Sequence, residues 1–236
     1  MDRRELISFK NVSKKYGEGE RSFFALDDVS FSIDEGEFVV ILGPSGAGKS
    51  TLLNLLGGMD GLTSGEIWID GENIAEYSDG RLTDFRASNI GFIFQFYNLI
   101  PTLTALENVM ITRDIVKSAG DGQKVLLSVG LGEHLHQFPS QLSGGEQQRV
   151  SIARAISKNP LMLLCDEPTG ALDSVTGVQI FSLLQELSVK EKRTVVVVTH
   201  NALLAPVADK VIHMKNGKIK RIDRNENPIA VSEVVW

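Results

Sequence analysis

The amino-acid sequence predicts an α/β fold built on a largely parallel sheet, and three observations point there. First, the apolar runs FVVIL (Phe38 to Leu42), LMLLC (Leu161 to Cys165) and TVVVVT (Thr194 to Thr199) are continuous rather than alternating. Continuous apolar strands are the pattern of a parallel sheet covered on both faces. Second, helix-like stretches follow or separate these runs, the alternation typical of α/β architecture. Third, a glycine-rich turn, GPSGAGKS at Gly43 to Ser50, joins the first run to the first such helix.

Taken in order, the N-terminal residues MDRRELISFK have no apolar stretch of signal-peptide length. LISFKNVSKKY, FFALDDVSFSI and GEIWIDGENI are strand-like, with turn residues between them and a hairpin signal at Asp70–Gly71. They predict an antiparallel sheet beside the parallel one. KSTLLNLLGG reads as a buried helix that stops at Gly57 and Gly58. Between about Phe96 and Lys158 the signals are mostly helical, in TALENVMITRDIV and GQKVLLSVG, with no buried-strand run, which predicts a helical insertion. In SVTGVQIFSLLQELSVKE, Val178, Phe181, Leu184 and Leu187 recur close to helical spacing.

The composition is that of an ordinary globular chain. The 236 residues could form one α/β domain or two small ones; with no low-complexity linker and no fixed repeat, one unit is the simpler reading. Hydrophobic residues at 42% and charged residues at 23% are close to globular averages, so extended disorder is not expected. A net charge of −6 argues against a general nucleic-acid-binding surface, so no nucleic-acid partner is expected. Cys165 is the only cysteine, which rules out an internal disulfide and fits a reducing cytoplasm. No apolar run approaches the ~20 residues that cross a bilayer, so a membrane role is expected to come through a partner.

Gly43 to Ser50 match GxxxxGK[ST] between a strand and a helix. In such a loop the glycines Gly43, Gly46 and Gly48 let backbone N–H groups turn inward around phosphate oxygens, with Pro44, Ser45 and Ala47 between them in the nucleotide-binding turn; Lys49 reaches the β- and γ-phosphates, and Ser50 can ligate Mg²⁺. Thr51 continues the helix start. In LMLLCDE a buried strand delivers Asp166 and Glu167 to its carboxyl end. Acidic residues often end strands because the chain is reaching water. Beside a phosphate loop, however, Asp166 is placed to hold the Mg²⁺ shell and Glu167 to polarise the attacking water. TVVVVTH sets His200 just past another strand; a lone histidine is commonly structural, yet Gly43, Asp166 and His200 would share the sheet edge where ligands bind.

LSGGEQQRV, Leu142 to Val150, poses a separate question. Ser143 and Glu146 form a capping box, which explains a helix start. It does not explain Gly144 and Gly145 in the first turn, where each costs roughly 1 kcal/mol relative to alanine in a helix interior. Close approach by a ligand would explain them, and a terminal phosphate fits. Without a lysine, such a site would hold a phosphate only when the nucleotide is already fixed elsewhere. His134 and His136, at i, i+2, would point apart on a helix and carry no metal-site signature; Cys165 reads as a small buried hydrophobe.

Taken together, LSGGEQQR, the phosphate loop, Asp166–Glu167 and His200 resemble the ATP-binding subunits of ABC transporters, in the family's order and over nearly the whole chain. The resemblance implies a P-loop NTPase fold, with a RecA-like mostly parallel sheet, an N-terminal antiparallel β subdomain and a helical subdomain inserted in the middle. The expected boundaries are about 1–95 and 159–225 for the core, 96–158 for the helical subdomain and 226–236 for a tail. It further implies an ATPase using ATP and Mg²⁺, in a head-to-tail homodimer where Ser143 and Gly145 of one chain contact the γ-phosphate held by the other, with Gly144 and Glu146 beside them. Tyr16 matches the aromatic that stacks on adenine. Gln95 resembles the glutamine that touches Mg²⁺ and the attacking water and senses the membrane partner. Gly170 to Asp173, GALD, follow as the D-loop does, with Asp173 near the shared nucleotide, although Gly170 stands where serine is usual. His200 would contact the γ-phosphate.

FYNLIPTLTALENV and DEPTGALDS are similar to the branch that includes lipoprotein-release, macrolide-export and antimicrobial-peptide-resistance ATPases and a cell-division relative. That implies a separate transmembrane permease and a peripheral place on the cytoplasmic face of the membrane. A non-transport ABC ATPase, in cell division, regulation, DNA repair or translation, is the alternative. In the tail, Ile229, Val231 and Val234 to Trp236 would pack on the domain or a partner, or hang loose.

Overall fold

The computed structural model describes residues 4–116 and 119–234. Met1 to Arg3 and the last two apolar residues of the tail, Val235 and Trp236, lie outside the described residues.

The chain opens with two long antiparallel strands, β1 (Glu5–Tyr16) and β2 (Phe23–Asp34), then enters β3 (Phe38–Leu42) and helix α1 (Lys49–Leu56). It returns as β4 (Ser64–Ile69) and β5 (Glu72–Asn73), joined through Asp70 and Gly71, both at positive φ as the hairpin signal requires. Helix α2 (Asp79–Asn89) leads to β6 (Ile90–Phe94). The helical stretch follows: α3 (Ala105–Met110), α4 (Thr112–Ile115), α5 (Gly122–Ser128) and α6 (Gly144–Ile156). Then come β7 (Met162–Asp166), α7 (Ser174–Glu191), β8 (Thr194–Thr199) and the hairpin β9 (Lys210–Lys215) with β10 (Lys218–Arg224).

Two sheets result. β2, β1, β4 and β5 form the antiparallel one, and the other runs β10-β9-β3-β8-β7-β6, parallel except at β10. Three of its strands are the continuous apolar runs. Alternate side chains of a strand face opposite ways, and here both faces are covered. Phe38, Val40, Leu163, Cys165, Val195 and Val197 join the core lined by α3, α5, α6 and α7. Val39, Ile41, Met162, Leu164, Val196 and Val198 join the core shared with α1 and the antiparallel sheet. A polar residue on either face would sit without water, which is why the runs are unbroken.

The structure adds elements that pattern reading left out. β6, IGFIF, is a further parallel strand, unread because Gly91 weakens its strand signal; a Cβ there would lie 2.5 Å from Leu163 Cδ2. α2 and the β9–β10 hairpin were likewise unread, their apolar residues being interspersed with charged ones. TALENVMITRDIV divides into α3 and α4, and His134 and His136 lie outside any helix. The tail packs on its own domain: Val231 is buried, its N–H donating to Gln185 Oε1 at 3.1 Å while Gln185 Nε2 donates to Ile229 O at 2.8 Å. Among the described residues no helix is long and apolar enough to cross a membrane.

A buried ion pair joins the two sheets. Lys210 Nζ on β9 donates to Glu37 Oε2 at 2.6 Å and to Ser32 O at 2.7 Å, and Asp34 N donates to the same carboxylate oxygen at 2.8 Å. The two side chains are 2% and 5% exposed, so breaking the pair strands a charge. Lys210→Met is expected to lower unfolding free energy by about 3–5 kcal/mol, and Lys210→Met with Glu37→Leu by much less. Urea unfolding midpoints check this; equal losses in the single and double variants would refute a paired role.

Candidate active site

The phosphate loop is built by close approach. A Cβ on Gly43 would come within 2.5 Å of Met214 O on β9, and one on Gly48 within 2.4 Å of Ala25 O on β2. Gly48 caps α1 at φ 98° with no side-chain hydrogen bond, so the first amides of the helix are left to donate to an outside anion. Lys49 Nζ is folded back over the loop, donating to Gly43 O at 2.8 Å and Pro44 O at 3.0 Å. The β9–β10 turn steadies the loop from the side: Gly217 N donates to Ala47 O at 3.0 Å, and Gly217 O accepts from Asp27 N at 2.9 Å.

The register of the parallel sheet carries the remaining groups to the same edge. Leu42 pairs with Thr199, Asp166 with Val198, and Phe94 with Asp166. Gly43, His200, Glu167 and Gln95 each stand one residue beyond these partners. Ser50 Oγ lies 3.4 Å from Asp166 Oδ1, and burial raises the Asp166 carboxyl above its ordinary value, with Glu167 adding to the rise and Ser50 and Lys49 opposing it.

Glu167 is held more tightly than a residue at a strand end needs to be. Its backbone is left-handed, φ 46°; among the described residues, apart from Lys192, the other non-glycine residues at positive φ are Asn or Asp. Such a conformation is uncommon for glutamate and recurs at functional sites. Thr199 Oγ1 donates to Oε2 at 2.9 Å, and the backbone N of His200 and its Nδ1 lie 3.0 and 2.9 Å from Oε1. A carboxylate has about four acceptor sites. Three are filled, and one on Oε2 is left.

These residues line one open cavity of about 900 Å³: Ser45 to Thr51, Gln95, Asp166, Glu167 and His200, with Tyr16 at one end. Gln95 lies across Gly170, where a Cβ would meet Gln95 Nε2 at 2.8 Å. Glycine in place of the usual serine therefore gives Gln95 that space. Tyr16 donates its hydroxyl to Asp60 Oδ2 at 2.6 Å, and Lys14 Nζ stands 4.8 Å from its ring centroid. Phe23, 5.9 Å from that ring, and Phe24 are exposed on the cavity wall, as is Asn216. Sequence reading missed these three, although the adjacent phenylalanines and the Asn–Gly turn were legible signals.

Ser143, Gly144, Gly145, Glu146 and Asp173 are not among the cavity's lining residues. The capping box at the start of α6 is present, with Ser143 N donating to Glu146 Oε2 at 2.7 Å and Glu146 N to Ser143 Oγ at 3.3 Å. The two glycines have a reason within the chain: a Cβ on Gly144 would lie 2.8 Å from the Tyr97 hydroxyl, and one on Gly145 2.4 Å from Thr176 Cγ2. Asp173 caps α7, accepting from Thr176 N at 3.0 Å and Thr176 Oγ1 at 2.7 Å; these bonds, the backbone one foremost, hold its carboxyl below the usual range. His134 faces Gln137, its Nδ1 2.8 Å from Oε1.

Comparison with known proteins identifies the family. The profile of the ABC transporter family matches residues 26–170. An uncharacterized ABC transporter ATP-binding protein of Methanocaldococcus jannaschii, MJ0796, is 45% identical over 228 residues, covering 93% of this chain and 97% of that one. One from Thermotoga maritima is 46% identical over 226 residues, covering 94% and 96%. The probable syringafactin export ATP-binding/permease protein SyfD of Pseudomonas syringae is 44% identical over 222 residues, 92% of this chain but 34% of that longer protein. The dimeric post-hydrolysis structure of the MJ0796 cassette bound to ADP and Pi superposes with a TM-score of 0.85 at 43% identity, covering 94% of this chain and all (100%) of that one. A nucleotide-binding loop, a capped glycine pair and an acidic strand end in this order, on this fold and with these relatives, mean that the chain belongs to the ABC transporter family as an ATP-binding and ATP-hydrolysing cassette.

Proposed function

We propose that this chain is one of two identical ATPase subunits that close head to tail around two Mg-ATP and drive a separate transmembrane permease from the cytoplasmic face of the membrane. The observation that carries this reading is a division of labour. The groups suited to bind and cleave ATP line one cavity, while Ser143, Gly144, Gly145, Glu146 and Asp173 stand outside it. A second copy would bring its Ser143 and Gly145 to the exposed γ-phosphate, and the dimeric MJ0796 cassette bound to ADP and Pi supports that arrangement.

Within one chain, the loop amides and the start of α1 would hold the phosphates, and Lys49 would exchange the carbonyls of Gly43 and Pro44 for β- and γ-oxygens. Tyr16 would offer its ring to adenine. The Ser50 hydroxyl, the Asp166 carboxylate and the Gln95 amide oxygen are hard oxygen donors from residues that line the cavity, the kind of donor Mg²⁺ takes beside phosphates and water. That ion would neutralise charge on the transferring phosphoryl group. Glu167, clamped by Thr199 and His200, has its remaining acceptor site for the attacking water, whose proton it would take. His200 would meet the γ-phosphate once nucleotide is present. The export role in the name of SyfD, together with FYNLIPTLTALENV and DEPTGALDS, supports a permease of the lipoprotein-release or macrolide-export type.

Removing the cation at the loop should remove nucleotide binding. Lys49→Ala is expected to reduce ATP turnover by about a hundredfold or more, measured as phosphate release; unchanged turnover would sink the site assignment. Glu167→Gln is expected to slow hydrolysis by about 10²–10⁴-fold and to accumulate an ATP-bound dimer. Light scattering that finds only monomer in Mg-ATP would count against the shared site. Isolation of the chain from membranes with a permease, and loss of that permease's export on Lys49→Ala, test the transport role.

A further inference from the structure

Helix α6 starts at the Ser143 cap and runs beneath the two segments that carry Gln95 and Glu167. Gln148, one turn into it, is fully buried. Its side-chain amide Nε2 donates to Pro168 O at 2.8 Å and reaches Phe94 O at 3.4 Å. Phe94 immediately precedes Gln95, and Pro168 immediately follows Glu167. The other side-chain atom, Gln148 Oε1, has no hydrogen-bond partner among the described residues. Burying an unpaired oxygen is unfavourable, so the donor end is what this position uses.

Other contacts of α6 point the same way. Arg154 donates from Nη1 to Asn98 O at 2.7 Å and from Nη2 to Tyr97 O at 3.1 Å, and the Tyr97 hydroxyl abuts Gly144 at the helix start. The backbone is therefore held to α6 on both sides of Gln95. Gln148 alone of these reaches the Glu167 segment as well. There it anchors a turn whose shape aims the glutamate: Glu167 sits at φ 46°, and its carbonyl accepts from Gly170 N at 3.0 Å.

We propose that Gln148 is a positioning residue for ATP cleavage, tying the helix capped by Ser143 to the backbones that carry Gln95 and Glu167. Engagement of Ser143 by a phosphate and alignment of the attacking water are then set together rather than separately. The inference rests on the roles given above to Glu167 and Gln95.

The test compares Gln148→Met, which keeps length but donates nothing, with Ser151→Ala, which removes the other buried polar atom on the same helix that lacks a partner. Each is made in the full chain and assayed for kcat and KM for Mg-ATP and for thermal midpoint, with Glu167→Gln as reference. Gln148→Met is expected to lower kcat about tenfold or more with KM within about twofold, the signature of an interaction needed in the transition state rather than in binding. Ser151→Ala is expected to keep kcat whatever its thermal midpoint. Gln148→Leu, apolar and likewise without a donor, should match Gln148→Met and stands in for it if the methionine protein does not fold. A folded Gln148→Met with kcat within about twofold of the unaltered chain, or equal kcat losses in Gln148→Met and Ser151→Ala, would overturn the proposal. So would failure of both Gln148 variants to fold beside a stable Ser151→Ala protein, which would make Gln148 a folding residue. If Glu167→Gln itself keeps full turnover, the reading of the active site fails instead.

Discussion

The structure depends on one constraint: the parallel strands β3, β8, β7 and β6 must stay in register while buried on both faces. A slip of one residue would exchange the two faces of a strand, turning Val40 and Val197 away from the core under α6 and α7 and into the one under α1. Because both cores are closely filled, such a slip has no room. The strand ends therefore line up, and the residues beyond them, Gly43, His200, Glu167 and Gln95, arrive at one edge. Core packing thus brings these residues to one edge, and hydrogen bonds among them then fix how Glu167 and Lys49 are held there.

At that edge the backbone is shaped by what it must pass close to. Gly43 and Gly48 have no space for a side chain because β9 and β2 crowd the loop from the sides, and the Gly217 turn hydrogen-bonds to Ala47. The loop is thus preformed, which lowers the ordering cost of binding a phosphate. Glu167 shows the complementary device: an uncommon backbone conformation held by Thr199, His200 and the turn to Gly170. The strain is local and is offset by hydrogen bonds to the carboxylate, which also leave only one acceptor site open.

The second sheet has its own part in the site. Tyr16 ends β1 and Phe23 begins β2, so the aromatic corner of the cavity is placed by how the antiparallel sheet docks on the parallel one. The Lys210–Glu37 pair at the far end of that contact is dry and joins the two sheets. Buried pairs of this kind contribute little net stability but penalise any docking that separates them. The aromatic corner and the phosphate loop are held in one geometry by that penalty and by the Gly217 turn.

Much of this was legible without coordinates. Unbroken apolar runs imply burial on both faces, GPSGAGKS implies a phosphate turn, and Ser143 with Glu146 implies a helix start, since each pattern reflects chemistry acting within a few residues. β6 was not legible, because Gly91 reads as a weak strand until Leu163 is found occupying its side-chain space. Nor was the purpose of Gly144 and Gly145: alone they suggest room for a ligand, and in the fold they make room for Tyr97 and Thr176. Local sequence by itself determined the elements, their order and the chemistry each could carry, because propensity, capping and periodicity are short-range. Only the tertiary structure decided which strand ends share an edge, why Gly170 lies under Gln95 and which carbonyls Gln148 reaches, because those depend on the close packing of groups far apart in the chain.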